Sequence, residues 1–320
     1  MDNPLVTVCV VSYNALAFIQ ETLESIKGQT YKEIELIISD DASSDGTVEF
    51  CQKWIATNKM RFVDAKLITS EKNTGVTANC NRGLEVSHGK WWKVIGSDDI
   101  LTVDCIESFV EYVKTRPEIK FIFGKQITFT GEFNSGTHKP QELPFRALFF
   151  RDSISAKKQY EIIVKLPQVG CAPTSFASTE ILRSVGGFNP RFPMNEDTPL
   201  YIHLTSMGVK LWYLDEFVVY RRIHAGSIMH QIGEGEIIDT AGKRYVLGEW
   251  AAFLQENSNW IWGQMSRFSN FLSMQILKNG NDWSSFKCRF WYYCRQFLNP
   301  YRWYVLWARI KDRLLTILGY

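Results

Sequence analysis

A chain of 320 residues with 45% hydrophobic and 22% charged residues has the composition of a globular protein, long enough for one large domain with an appendage or for two modest ones. Its formal charge of +2 hides an asymmetry: residues 260–320 hold nine Lys and Arg against two Asp, a charge of +7, which leaves −5 for residues 1–259 and predicts different partners for the two parts. Seven cysteines without CxxC spacing argue against a zinc site or a disulfide frame and point to reduced thiols in a cytosolic protein.

Val6–Val11 is a β-branched run suited to a strand buried on both faces, and it starts too near Met1 to leave room for a signal peptide. After Ser12, Tyr13 and Asn14 the period changes, and Leu16, Ile19, Leu23 and Ile26 mark one helix face. Glu35–Ile38 reads as a second strand ending at Ser39-Asp40-Asp41, and Ser43-Ser44-Asp45-Gly46 offers caps for a helix through Trp54. Lys66–Thr69 is a third strand, followed by Asn73-Thr74-Gly75 and a helix to about Ser87. Trp91–Ile95 is a fourth, stopping at Gly96-Ser97-Asp98-Asp99; Val103, Ile106, Val110 and Val113 mark the next helix, and Phe121–Phe123 a further strand. This alternation over the first 125 residues predicts a parallel α/β sheet. Residues 128–169 carry no clear period. Beyond them, a short helix capped by Ser178 or Thr179 ends at Gly186-Gly187, and another follows Asn195-Glu196-Asp197 to near Gly208. Lys210–Tyr213 and Phe217–Tyr220 read as two strands, and a loop bearing Gly226, Gly233 and Gly235 leads into a helical tail.

The predicted strands deliver polar residues at their C-terminal ends: Asn14, Asp40 and Asp41, Asn73, Asp98 and Asp99. Open parallel sheets bind ligands along that edge. Adjacent carboxylates repel unless a cation or donors offset them, and a divalent metal bridging a diphosphate suits Asp98 and Asp99, since hard cations take carboxylate and phosphate oxygens. The alternative is a solvated turn or the N-terminus of a helix over Ile100–Val113. Asp40 or Asp41 can accept the N3–H of a uracil ring, or serve with Ser43 and Asp45 as a cap. Asn73, Asn79 and Arg82 reach a base or phosphate on one reading and are helix-surface polarity on the other. Neither GxGxxG after the first strand nor GxxxxGK[ST] is present, which argues against a dehydrogenase or a P-loop ATPase.

Pro4-Leu5-Val6-Thr7-Val8, Ser12-Tyr13-Asn14, Gln29-Thr30, Asp40-Asp41-Ala42-Ser43-Ser44-Asp45-Gly46-Thr47, Asn73-Thr74-Gly75, Gly96-Ser97-Asp98-Asp99 and Asn195-Glu196-Asp197 occur in that order. Together they resemble the family 2 glycosyltransferases over about residues 4–230. The resemblance implies an α/β GT-A fold, Rossmann-like with a mostly parallel sheet flanked by helices. It implies a catalytic domain over residues 1–230, with a nucleotide-binding half to about 125 and an acceptor-binding half from about 126, and a helical aromatic and basic extension over residues 231–320. It further implies a nucleotide-sugar donor, Mg²⁺ or Mn²⁺, and transfer with inversion at the anomeric carbon.

Position by position, the resemblance assigns Thr7, Tyr13 and Asp41 to the nucleotide base pocket, with Asn14, Asn73 and Asn79 beside them. Asp98 is assigned to the ribose or the metal, and Asp99 to direct metal ligation. Many members carry Asp where this chain has Gly96, so its acidic cluster is reduced to two. Inversion by single displacement needs a base at the acceptor hydroxyl, and the family matches that base to Asp197, with Glu196 orienting the acceptor or sharing the role. The helix dipole is expected to keep this carboxylate ionised. The alternative is a helix cap, for which Asn195 is the better candidate. Arg221, Arg222 and His224 are expected at the diphosphate, His224 also at the metal, and loop 225–235 as a lid that excludes water.

In the tail, Trp303, Trp307, Ile310, Leu314 and Ile317 share one helix face, with Arg302, Arg309 and Arg313 elsewhere around it; upstream, Trp291, Tyr292, Tyr293 and Phe297 are interleaved with Arg289 and Arg295. Such helices fit the interface of an anionic membrane, and Trp291, Arg295, Trp303 and Trp307 are the expected membrane-facing residues. The alternative is a helix packed on the core. No stretch reaches the roughly 18–20 apolar residues of a membrane span, and no nucleic-acid-binding module is apparent. The expected protein is a metal-dependent hexosyltransferase, cytoplasmic and peripheral on the inner face of the cytoplasmic membrane. It moves glucose, galactose or an N-acetylhexosamine from a UDP-sugar to a polyprenyl-diphosphate-linked or oligosaccharide acceptor in bacterial surface-polysaccharide or O-antigen synthesis. The alternative keeps the fold without catalysis, as a nucleotide-sugar-binding or scaffolding protein.

Overall fold

The β-branched run at the start forms β1 (Val6–Ser12), in which Val6, Val8, Cys9 and Val10 are fully buried. Its neighbours are β2 (Ile34–Asp40) and β4 (Trp91–Gly96), both parallel to it, with β3 (Asp64–Thr69) parallel on the far side of β2. Helices α1 (Ile19–Lys27), α2 (Thr47–Asn58) and α3 (Val76–Glu85) make the crossovers. Ile19, Leu23 and Ile26 of α1 are buried, as their spacing on one face requires. The computed structural model describes residues 3–141, 147–166, 169–224, 236–238, 250–257 and 259–317.

Beyond β4 the sheet becomes antiparallel. The remaining elements are β5 (Ile100–Leu101), α4 (Cys105–Lys114), β6 (Phe121–Thr130), β7 (Thr137–Pro140), α5 (Ala156–Ile163), β8 (Ser175–Ser178), α6 (Thr179–Ser184), α7 (Asp197–Ser206) and β9 (Leu211–Ile223). Strand order among the described residues is β3-β2-β1-β4-β8-β6-β9-β5, with β7 paired to β6. The aperiodic stretch after Thr128 thus contains the β6–β7 hairpin and α5. The two short strands expected around residues 210–220 are one continuous strand. Asp215, between the two expected strands, pairs with Lys125 of β6 at 2.7 Å.

Register places the site. Ser12 lies opposite Asp40, Val11 opposite Gly96 and Asp40 opposite Thr69, so the turns after β1, β2, β3 and β4 open on one edge. The main core beneath them joins Val8, Val10, Leu23, Leu36, Ile95, Phe109 and Phe176.

The chain divides into two compact units. The first comprises Met1–Phe145, Ser155–Gln159 and Val169–Arg222, and the second Arg146–Ile154, Tyr160–Gln168 and Ile223–Tyr320. The second carries four helices among its described residues: α8 (Trp250–Asn257), α9 (Trp260–Lys278), α10 (Phe286–Phe297) and α11 (Pro300–Ile317). Asn259 caps α9 by accepting from Trp262 N, and Ser285 caps α10 by accepting from Cys288 N. The Gly-bearing loop 225–235 and the side chains of Arg309, Arg313 and Ile317 lie outside the described residues.

Candidate active site

The turn after β2 is held by its own side chains. Buried Asp40 accepts from Ser43 N at 2.8 Å and Ser43 Oγ at 2.6 Å, while Asn14, at φ 46°, accepts from Ser44 N at 2.9 Å. Asp41 accepts five hydrogen bonds: from Ser70 Oγ, Thr74 Oγ1, Thr74 N, Gly75 N and Arg82 Nη2, at 2.7–3.0 Å. Burial would raise this carboxyl, but donors from Thr74, Arg82 and Gly75 outweigh it and hold the group below its usual range. Arg82 also donates to Asn79 Oδ1 at 3.0 Å, and Asn79 Nδ2 donates to Ser12 O at 3.2 Å. Asn73 Oδ1 accepts from Gly75 N at 3.1 Å. Asn14, Asp41, Asn73 and Asn79 thus lie along the expected edge, each tied to neighbouring turn or helix residues, with Arg82 joining Asp41 to Asn79. Tyr13 stands there half-exposed.

Thr7 does not belong with them. It lies at the opposite end of β1, fully buried and paired in register with Glu35 and Trp92. Its hydroxyl donates to Glu35 Oε2 at 2.5 Å and accepts from Gly89 N at 2.9 Å. At about 3.3 Å per residue it is some 16 Å of strand away from the C-terminal edge. The residues that reach that edge from β1 are Val11 and Ser12.

The Asp98–Asp99 turn is not a helix N-terminus, because β5 intervenes and pairs with Val219 and Tyr220 of β9; α4 starts only at Cys105. Asp99 is 4% exposed, and its Oδ1 accepts from Arg222 N at 2.9 Å. Burial, and then the charge of Asp98, push its carboxyl up to about 8, against the pull of the Arg222 N–H and of the Arg221 and Lys93 charges. A Cβ at Gly96 would stand 2.8 Å from Asp98 Oδ1 and 3.7 Å from Asp99 Oδ2. The Asp98 carboxylate therefore occupies space a side chain there would need, while Asp99 stands at ordinary contact distance. Among the described residues no group of three or more His, Cys, Asp or Glu is placed to hold a metal. Two adjacent hard-oxygen carboxylates, one of them buried, have donor chemistry that fits a divalent cation.

Arg222 is used differently from the expectation. Its guanidinium is buried between the rings of Phe18 and Phe129, at 5.0 and 4.6 Å to the centroids. Nε donates to Asp98 O at 3.0 Å and Nη2 pairs with Glu21. This side chain clamps the acidic turn from behind and is not turned toward a diphosphate. Arg221, its neighbour on the strand, points to the other face, where its charge draws down the carboxyls of both Asp99 and Asp197. His224 lies just past β9 in the second unit.

Asp197 begins α7 and Glu196 stands at its N-cap position with no side-chain cap bond, so neither Asn195 nor Glu196 acts as the cap. Asp197 Oδ1 accepts from Thr198 N at 2.5 Å and Thr198 Oγ1 at 3.0 Å. Burial and the adjacent Asp197 push Glu196 up to about 7, and burial raises Asp197 as well. The helix dipole alone would keep Asp197 low; desolvation by burial outweighs it. The segment just before the pair is tied to the nucleotide edge. Thr77 N and Oγ1 donate to Pro193 O at 3.2 Å and Phe192 O at 2.5 Å, and Gly75, at φ 91°, has no room for a Cβ against Pro193 O.

The match that decides the family is a model described as Glycosyl transferase family 2, which covers residues 7–170, half of the chain. The chain belongs to glycosyl transferase family 2. Over 232 residues this glycosyltransferase is 28% identical to UDP-Glc:alpha-D-GlcNAc-diphosphoundecaprenol beta-1,3-glucosyltransferase WfaP of Escherichia coli, covering 70% of this chain and 79% of that one. It is 33% identical over 114 residues to the putative teichuronic acid biosynthesis glycosyltransferase TuaG of Bacillus subtilis, covering 36% of this chain and 44% of that one. Among solved structures, S. aureus TarS 1–349 in complex with UDP-GlcNAc aligns over 98% of this chain and 92% of its own, with a TM-score of 0.56 at 15% identity. The mannosyltransferase PcManGT from Pyrobaculum calidifontis, solved with GDP-Man and Mn²⁺, aligns over 100% of this chain and 77% of its own, with a TM-score of 0.51 at 15% identity. These likenesses show the GT-A fold.

Three groups near the family 2 site escaped the sequence reading. Lys93, fully buried in β4, donates to Pro173 O and Ser175 O, and its charge reaches Asp99. Cys171 donates to Gln126 Oε1 at 3.1 Å and feels the charges of Arg221, Asp197 and Asp99. Tyr201, one turn beyond Asp197, has a buried hydroxyl with no protein partner. Only Lys93 left a signal, as a charge inside an apolar strand.

Proposed function

We propose that this protein is an inverting, UDP-sugar-dependent hexosyltransferase that extends a lipid-linked glycan in bacterial surface-polysaccharide assembly. What supports this is membership of family 2 together with the place of Arg221 on β9, from which its charge acts on both Asp99 and Asp197, one acid from each candidate half of the site. The uracil and ribose lie along the edge formed by Tyr13, Asn14, Asp41, Asn73 and Asp98, with the Tyr13 ring as the exposed stacking surface.

Asp99 and Asp98 would hold Mg²⁺ or Mn²⁺, which when bound would supply positive charge at the diphosphate oxygens. Asp197, its Oδ1 fixed by Thr198, takes the acceptor hydroxyl proton on its other oxygen, and Glu196 orients the acceptor. The acceptor oxygen bonds to the anomeric carbon as the bond to the diphosphate breaks, and the leaving diphosphate takes that electron pair. Arg221 screens the charge it gains. The acceptor is a sugar on a polyprenyl diphosphate, as the name of WfaP states for that relative, so the enzyme works peripherally at the inner face of the cytoplasmic membrane.

The test is UDP release from a panel of UDP-sugars, with and without Mn²⁺ or Mg²⁺, using a GlcNAc- or GalNAc-diphospholipid acceptor. Metal-dependent release that requires the acceptor is expected. UDP binding without release from any donor would instead favour a non-catalytic binding protein.

A further inference from the structure

A helix on a protein surface ordinarily packs its apolar face inward and turns a polar face to water. Helix α10 does not. It docks through Cys288, fully buried with its thiol donating to Asn279 O at 3.0 Å, and through Trp291, set edge-on to Phe271 at 6.0 Å. Its outer face then carries Phe286, Phe290, Tyr293 and Phe297, spaced 4-3-4 along one stripe and 52–76% exposed. Helix α11 repeats the arrangement. Tyr304 packs on Trp262 at 4.2 Å, while Trp303, Trp307, Ile310 and Leu314 stand 48–56% exposed along the adjoining face, with Trp307 6.3 Å from the Tyr304 ring. The stripes meet at the corner between the helices, where Trp303 Nε1 donates to Phe297 O at 2.9 Å. Water-facing rings in this number are unusual on a soluble surface and mark a binding face.

The charge around the stripes selects the occupant. Lys287, Arg302 and Lys311 are exposed beside them, with Lys311 Nζ 5.1 Å from the Trp307 centroid, and residues 260–320 total +7. A second copy presenting the same face would oppose like charge with like charge. An anionic bilayer offers opposite charge, an apolar layer for Phe and Leu, and a headgroup layer suited to Trp, Tyr and Lys. Among the described residues no helix is long and apolar enough to cross a membrane, which fits helices lying in the interface.

We infer that the continuous outer face of α10 and α11 is a docking surface for anionic phospholipid. Phe286, Phe290, Tyr293 and Phe297 form one half of it, with part-buried Trp291 at its border against the half-exposed ring of Phe271. For its purpose this rests on the lipid-linked acceptor proposed above, yet it is carried by the surface of the second unit alone.

Vesicles free of acceptor therefore test it separately from catalysis. The full chain is sedimented with phosphatidylglycerol–phosphatidylcholine vesicles and with pure phosphatidylcholine vesicles, at low and high salt. Binding to the anionic vesicles is expected, weakened by salt and by neutral lipid. Phe290→Ser with Trp307→Ser should weaken it roughly 30-fold, with the far-UV spectrum and UDP binding unchanged. Lys287→Gln, Arg302→Gln and Lys311→Gln should cost about fivefold each. Undiminished binding by the Phe290→Ser/Trp307→Ser protein would overturn the inference. So would a native dimer that dissociates in that variant while the wild-type chain ignores vesicles, since the face would then belong to a second copy.

Discussion

Replacing Arg222 by methionine removes a guanidinium from between two rings while its linear stem still fills much of the space. The lost interactions are the Nε hydrogen bond to Asp98 O at 3.0 Å, the stacking over Phe18 and Phe129, and the pair with Glu21. Glu21 is 48% exposed, so its share is at most about 1 kcal/mol. A charged hydrogen bond contributes about 1.5–3 kcal/mol, and each desolvated cation–π contact about 1–2 kcal/mol. Relief from burying the charge offsets part of the sum. A net loss of about 3 kcal/mol, or roughly 6–10 °C in Tm, is expected. The Asp99 contact survives because Arg222 donates it from the backbone, so Asp98 should loosen more than Asp99. Differential scanning fluorimetry gives the Tm shift, and calorimetric titration of UDP with Mn²⁺ should show affinity down about tenfold, partly restored in Arg222→Lys. A wild-type Tm combined with lost turnover would refute this, because Arg222 would then be acting on the substrate.

Arg221→Met should behave in the opposite way, leaving Tm within about 2 °C of wild type while kcat/KM falls roughly 10²–10³-fold, read from UDP release. UDP with Mn²⁺ at a hundredfold excess over Kd should raise the wild-type Tm by roughly 5 °C, whereas Asp99→Asn, which keeps the acceptor for Arg222 N, should show no metal-dependent shift. The raised Glu196 and Asp197 carboxyls put the acid limb of the kcat profile near neutral pH. Glu196→Gln, by removing a like charge, should move that limb to lower pH, and Asp197→Asn should abolish turnover yet retain UDP binding. Because the folded pKa of Glu196 lies above its unfolded value, its stabilising effect is complete below about pH 4.5 and is lost as pH rises through about 7. The Tm of the unliganded protein should fall over that window, and less so in Glu196→Gln.

The parallel half of the sheet was legible because β-branched runs and helical spacing do not depend on distant contacts, and the polar residues ending each run marked the binding edge. Thr7 was misplaced because its segment was matched as a unit, and a side chain at the wrong end of a seven-residue strand cannot reach that edge. Arg221 and Arg222 look alike in sequence; strand alternation sends one toward the carboxylates and the other behind them. The low pKa expected for Asp197 considered the helix alone and left out the burial that its neighbours impose. The β6–β7 hairpin hid because its pairings, such as Phe129 with His138, put little apolar surface in register.

Gly96 sets how the acidic turn can be enlarged. A Cβ there would come within 2.8 Å of Asp98 Oδ1 but only to ordinary contact, 3.7 Å, with Asp99 Oδ2. The near atom is the end of a side chain, so a substitution at Gly96 would turn the Asp98 carboxylate aside and leave Asp99 where Arg222 N holds it. The two neighbouring acids thus differ in freedom: one can be re-aimed by its surroundings, and the other is fixed by the strand beside it.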